Sequence, residues 1–398
     1  MMRKLSFYFL LIIGYSCQTP SNETSVTDLP KEISLEVEDS VTVKGILAKA
    51  FLFQTADENH VVFKDLLNSK IFVVNKSNGE LEYEWSKSGD VPGAFGSMTK
   101  PLTLSEEGNI VVVDYMSGQR VFKKNGDLIL AGKPVKNQVS FGGPVSFLSD
   151  SQIVSINGEE YVLYSLDLLD QAEEYNPEYL QNRRNLILAN LKTDEVRLTV
   201  PFPEGSKFLS GKTFPFEDFR PRFVVNEEEN RLYLIFQNEL VLYTYEWNDG
   251  NPVFLSSLAV PLSDFEENEG VENGAFVLGQ VSDPENEPFP ARIQGIAQVE
   301  NGFLITYSTK PSKRLYSLYK AKEITKEQRD QLFKEISRKT VFMDNSGKVF
   351  PVDFPEMHYE SFVMVDEKIH WMKKTDPNTE EEDFTVYWGA LKTVESQE

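Results

Sequence analysis

Residues 89–130 read GDVPGAFGSMTKPLTLSEEGNIVVVDYMSGQRVFKKNGDLIL. The unbroken β-branched run Ile110-Val111-Val112-Val113 predicts a strand buried on both faces. Leu102 to Leu104 forms an apolar strand before it, across a turn at Ser105 to Asn109 where Gly108 tolerates positive φ. After it, Asp114 to Gly118 turns, Gln119 to Lys123 returns as a strand, and Asn125-Gly126 signals a hairpin into an edge strand at Leu128 to Leu130. Three or four short antiparallel strands within about forty residues make the repeat unit of a β-propeller.

The lead-in Gly89 to Phe95, the Val112 to Tyr115 segment and Asn125-Gly126-Asp127 resemble the six-bladed propeller lipoproteins of Bacteroidetes-type bacteria. In that family a Gly-Pro-Gly-Glu-Phe-like loop precedes a blade. This chain keeps Pro92-Gly93 and Phe95 but has Val91 for a glycine and Ala94 for the acid. Most members of the family have no assigned activity, so the resemblance implies a fold and little chemistry.

Similar units extend in both directions and predict an all-β, six-bladed propeller with short helical insertions. A first blade is expected over 46–85 and a third, with an insertion, over 139–200. A fourth follows over 222–260, a fifth over 293–350 and a sixth over 357–391. Ile33 to Val41 alternates and is expected to close the ring by pairing with the last blade, which removes open edges. Seven blades stay open as an alternative, with the extra unit in 139–200 or 264–290; a two-domain β-sandwich is the other fold considered. Leu166 to Arg184 has helix-like composition, with Asn176-Pro177 as cap and first residue. Thr325 to Gln328 has capping-box spacing ahead of a helix, while Leu315 to Lys320 reads as a strand.

The N-terminal stretch is set apart from these units. Arg3 and Lys4 precede an apolar run, Leu5 to Ile13, that is too short for a stable membrane-spanning helix. Gly14-Tyr15-Ser16-Cys17 then resembles a lipobox, and Cys17 is the chain's single cysteine. The expected organisation is a lipoprotein signal peptide at 1–16, a polar tether at 17–31, one propeller domain at 32–392 and a frayed tail at 393–398. One cysteine, lipidated, leaves the domain no disulfide and no thiolate metal site. The expected place is the outer membrane, with the leaflet left open.

The net charge of −22 becomes −24 when Arg3 and Lys4 leave with the signal peptide. Such a surface repels nucleic acid and anionic headgroups, so membrane contact is expected through the lipid anchor alone. The acidic runs lack the alternating spacing of a calcium loop, and no zinc, phosphate-loop or nucleophile-elbow motif is present. No cofactor or metal is expected.

Propellers gather ligands at the channel mouth, where loops lead into the innermost strands. Lys100, Arg220, Arg222, Arg292, His358 and Tyr359 fall at such places and are the candidate ligand-binding residues. The competing reading is that the arginines pair with acids such as Glu217 and Asp218 and pin loops. Asp114 reads as a turn residue that caps backbone N–H groups, against a catalytic aspartate. Two functions follow: a lipid-anchored binding module for an envelope protein or glycan, or a lyase or hydrolase acting on an acidic glycan with His358 or Tyr359 as acid or base. The binding module is favoured.

Overall fold

The computed structural model describes residues 32–46, 48, 50–65, 67–96, 99–114, 117–135, 138–140, 151–166, 168–170, 174–175, 177–214, 216–270, 276–277, 291–336, 338–358, 361–374 and 383–394. The chain is all-β apart from short helices, and it has propeller architecture. Four antiparallel sheets hold four strands each, always in chain order, at 51–86, 103–131, 151–201 and 221–259. Two short ribbons pair Gln138–Ser140 with Leu168–Asp170 and Glu174–Tyr175 with Phe276–Val277, and an eight-stranded sheet holds the remaining strands. One half is Arg292–Val299, Gly302–Ser308, Arg338–Asp344 and Val349–Asp353. The other half is Val363–Val365, Lys368–Met372, Phe384–Val394 and the N-terminal strand Glu32–Val43. The halves join where Glu32–Val43 runs parallel to Val349–Asp353 at Ile33↔Val352 and Ser34↔Asp353.

Burial grades across each sheet as the sequence pattern requires. Ile110–Asp114 is buried along its whole length because sheets cover both its faces. The fourth strands Leu81–Ser86 and Asn251–Ala259 are largely exposed. Aromatic rings fill the space between sheets. Phe51 lies 4.6 Å from Phe384 of the eight-stranded sheet, and Trp85 lies 4.9 Å from Phe122 of the next sheet. Gly126 makes that second contact possible, since a Cβ there would meet the Trp85 ring at 2.7 Å.

The expected closure holds. Glu32–Val43 pairs antiparallel with Phe384–Val394 from Glu32↔Val394 to Val43↔Phe384, with one irregularity between Val37 and Asp39. Three readings change. Leu315 to Lys320 is the helix Lys313–Lys320, because Leu315, Leu318 and Tyr319 share a helical face that a short apolar run does not distinguish from a strand. The strand Glu159–Ser165, unforeseen behind its opening glutamates, is the second of its sheet. The insertion before Arg184 is helical only over Pro177–Asn182, which begins at the expected proline. Residues 141–150 of the expected third blade lie outside the described residues. The capping box is present: Gln328 N–H donates to Thr325 Oγ1 at 3.2 Å and Thr325 N–H to Gln328 Oε1 at 3.0 Å.

Candidate functional site

The first strand of each sheet leaves one edge without a strand partner, and buried N–H and C=O groups there need other bonds. Side chains and backbone carbonyls supply them from sheet to sheet. Leu102 N–H donates to Gln54 Oε1 at 3.1 Å, and the Ser151 hydroxyl donates to the Pro101 carbonyl at 3.0 Å. Gln152 clasps Val225 in both directions, at 2.7 and 2.9 Å. Ile293 N–H reaches the Gln237 carbonyl at 2.7 Å, and Phe53 N–H reaches Met372 Sδ at 3.3 Å. These latches lace the inner strands together and place the predicted cations.

Lys100 is 1% exposed, and its ammonium bonds the Ser165 hydroxyl of the next sheet. Beside it lies Lys64, equally buried and bonded to the Thr99 hydroxyl. Burial pulls the Lys64 pKa down to about 8, against the opposing attraction of Asp114. Asp114 accepts from Gly96 N–H and Ser117 N–H, both at 2.7 Å, which is the turn-capping role its position suggested.

Arg220, Arg222 and Arg292 share a second neighbourhood. The Arg220 carbonyl accepts from Gln237 N–H at 3.0 Å, and Gln237 in turn accepts from Ile293. Asn238 N–H donates to the Asp218 carbonyl at 2.9 Å, and its amide to the Ala291 carbonyl at 2.7 Å. Segments 218–222, 237–238 and 291–293 are therefore one patch. Arg222 stands inside its strand Pro221–Asn226 and not ahead of it. Exposure is 4% for Arg220, 2% for Arg222 and nil for Asp218. Next to the patch, buried Glu239 accepts from the Ser206 hydroxyl at 3.0 Å and Lys207 N–H at 2.7 Å. Burial raises its pKa in spite of those donors.

His358 belongs to a third place, the seam between the last and first sheets. Burial lowers its pKa, and a hydrogen bond to the Phe51 backbone opposes that shift. It lines a small pocket with Ser361, Met372 and His370. His370 is 1% exposed, with its ring between Phe53 at 5.8 Å and Trp388 at 5.6 Å. Its Nδ1 faces the Lys368 carbonyl at 3.2 Å, and burial pulls its pKa to about 4. Tyr359 and Cys17 lie outside the described residues.

The candidates thus fall in three settings, one of which gathers three arginines. Sequence reasoning missed Lys64 and Glu239. The signal for Lys64 was a lysine directly after the apolar run Val61-Val62-Phe63. Among the described residues no three His, Cys, Asp or Glu side chains converge to hold a metal ion, and no helix is long and apolar enough to cross a membrane.

No family model matches the chain, and no curated protein matches it. Solved structures do. A member of the DUF4221 family from Bacteroides vulgatus superposes with a TM-score of 0.59 at 12% identity, covering 92% of this chain and all of the other. A candidate exported protein from Bacteroides fragilis gives 0.49 at 13% identity, over 93% of this chain and 98% of its own. BamB from Moraxella catarrhalis gives 0.39 at 9% identity, over 89% and 99%. The first of these likenesses carries the fold, and identity this low carries no activity.

Proposed function

We propose that this chain is a six-bladed, lipid-anchored propeller of the cell envelope that serves as a binding scaffold for an envelope protein or glycan. The count of six takes the four separate sheets plus the two halves of the eight-stranded sheet. The anchor rests on Gly14-Tyr15-Ser16-Cys17 and on the resemblance to propeller lipoproteins. The observation that carries the binding role is the burial of Lys100, Arg220 and Arg222 at 1%, 4% and 2%. A lyase or hydrolase needs such cations within reach of a substrate carboxylate. Here all three are buried among the sheets, Lys100 on the Ser165 hydroxyl, so they serve the ring's rigidity. Binding then belongs to its exterior.

Crosslinking of the lipidated protein in intact membranes, read by quantitative mass spectrometry against Cys17→Ala, tests this reading. Enrichment of one envelope partner, lost with the anchor, is the expected result. Turnover of an acidic glycan by the purified protein, abolished by Arg222→Lys, would replace the reading with the enzymatic one.

A further inference from the structure

The strongly acidic chain carries one basic projection. Between Gly302–Ser308 and Arg338–Asp344, the helices Lys313–Lys320 and Lys326–Glu335 form a hairpin. Residues 310–339 hold ten Lys and Arg against four Asp and Glu, a net of +6, which leaves −28 on the remainder. Two of these cations are answered by acids of a neighbouring loop, Lys310 by Glu266 at 2.8 Å and Lys339 by Asp264 at 2.6 Å. Arg314, Lys320, Lys322, Lys326 and Arg329 are exposed, and none forms a salt bridge among the described residues. The hairpin also leaves two large rings in solvent, Tyr319 at 42% and Phe333 at 48%, edge to face at 6.1 Å. Leu315, Tyr316 and Leu332 are its buried residues.

We propose that this hairpin docks on an anionic phospholipid surface, with the lysines and arginines at the phosphates and the Tyr319–Phe333 pair in the headgroup layer. Basic residues flanking exposed aromatic rings on a helical surface suit that interface. Chain geometry favours a membrane over other anionic partners. The described chain begins at Glu32, and Ile33 pairs with Val352 in the sheet that bears the hairpin. Pro351 pairs with Val341, so Ile33 stands two strands across and about two residues along from the hairpin base at Arg338. That separation is about 12 Å. A tether of residues 17–31 spans up to about 50 Å, so an anchor at its far end holds the membrane within the hairpin's reach. Whole-chain charge hides this surface, because −22 averages a basic projection into an acidic body.

The test uses residues 18–398, which contain the whole described fold and no acyl chain, with sedimentation on vesicles. One set is phosphatidylcholine alone, and the other contains phosphatidylglycerol at about a third of the lipid. Each Lys or Arg at an anionic surface is worth about fivefold in binding. Binding to the phosphatidylglycerol vesicles should therefore exceed the control by at least about tenfold at low salt and vanish near 0.5 M salt. Lys320→Gln, Lys322→Gln, Lys326→Gln and Arg329→Gln together should remove the difference with thermal unfolding unchanged. Tyr319→Ser with Phe333→Ser should weaken binding about fivefold and keep the salt dependence. Hydrogen exchange of the unmutated protein gives a second readout, with amides over 313–335 slowed by the anionic vesicles alone. Equal binding to both vesicle types, no binding at low salt, or undiminished binding by the quadruple variant would overturn the proposal. So would capture of soluble poly-glutamate without capture of vesicles. No anchor and no partner enters the measurement, so its failure leaves the scaffold reading untouched.

Discussion

Lys100, Arg220 and Arg222 are carried into the ring until water scarcely touches them, whereas Lys320, Lys322, Lys326 and Arg329 stand in solvent on a helical hairpin. The residue types are the same and the roles are opposite. Cations inside the ring are closed off from water, as Lys100 is on the Ser165 hydroxyl. Cations on the hairpin keep their charge for something outside. Position in a motif does not separate the two classes; the packing of neighbouring sheets does.

The contrast is tested most strongly by truncating one member of each class. Removing a buried charge strands its partners and leaves a cavity, which costs about 3–5 kcal/mol. Arg222→Ala is therefore expected to lose that much in denaturant unfolding, while Lys322→Ala stays within about 0.5 kcal/mol. If Arg222→Ala is as mild as Lys322→Ala, the arginine is not structural, and the channel mouth returns as a ligand site.

Acid sharpens the same contrast at the closing seam. His370 stays neutral in the fold down to about pH 4 because it is buried, with Lys76 and Lys368 nearby adding to the effect. Unfolded, it takes up a proton near 6.5. Between these values the unfolded chain binds a proton that the folded chain refuses, so stability falls as pH drops from about 6.5 to about 4 and is flat above that window. The loss is roughly 3 kcal/mol at the lower end. His370→Phe, set between Phe53 and Trp388, should flatten that part of the stability–pH curve. An unchanged curve would mean that the seam opens to water before His370 matters.

Asp114 makes a smaller demand. It holds Gly96 and Ser117 N–H groups, and Asp114→Ala leaves both donors without it, at about 2 kcal/mol. Asp114→Asn keeps an acceptor oxygen and should recover part of that. If asparagine costs as much as alanine, the charge opposite Lys64 governs the site and not the turn.

Much of the fold was legible because local pattern and burial agree. Ile110 to Val113 shows on its face that it is covered on both sides, and the alternation of Ile33 to Val41 announced a closing strand that meets Phe384–Val394. Leu315 to Lys320 was misread because its apolar residues satisfy both periods, and only the hairpin with Lys326–Glu335 decides between them. The site was less legible. Arg220 and Arg292 are separated in sequence and meet through Gln237 and Asn238, two residues without charge or motif. Lys64 and Lys100 are neighbours through Thr99 and Ser165, on other strands and loops. An apolar run leads into Lys64, but Thr99-Lys100-Pro101 carries no such mark of the sheet that buries Lys100.

The smallest expected effect probes whether the exposed class needs its scaffold. Thr325 and Gln328 close the first turn of Lys326–Glu335 by two reciprocal bonds, and Thr325→Ala removes one of them. The cost is about 1 kcal/mol, and it falls on the hairpin because the helix buries only Leu332. Global unfolding should hardly shift, since the two strands that flank the hairpin stay paired from Gly302↔Asp344 to Ser308↔Arg338. Hydrogen exchange over 326–335 should instead quicken several-fold. Vesicle binding should weaken only modestly, because charges on a fraying helix still reach the phosphates while the Tyr319–Phe333 pair loses its fixed geometry. A drop in binding as large as that of the fourfold glutamine variant would show that the helix itself, more than its charge, makes the surface.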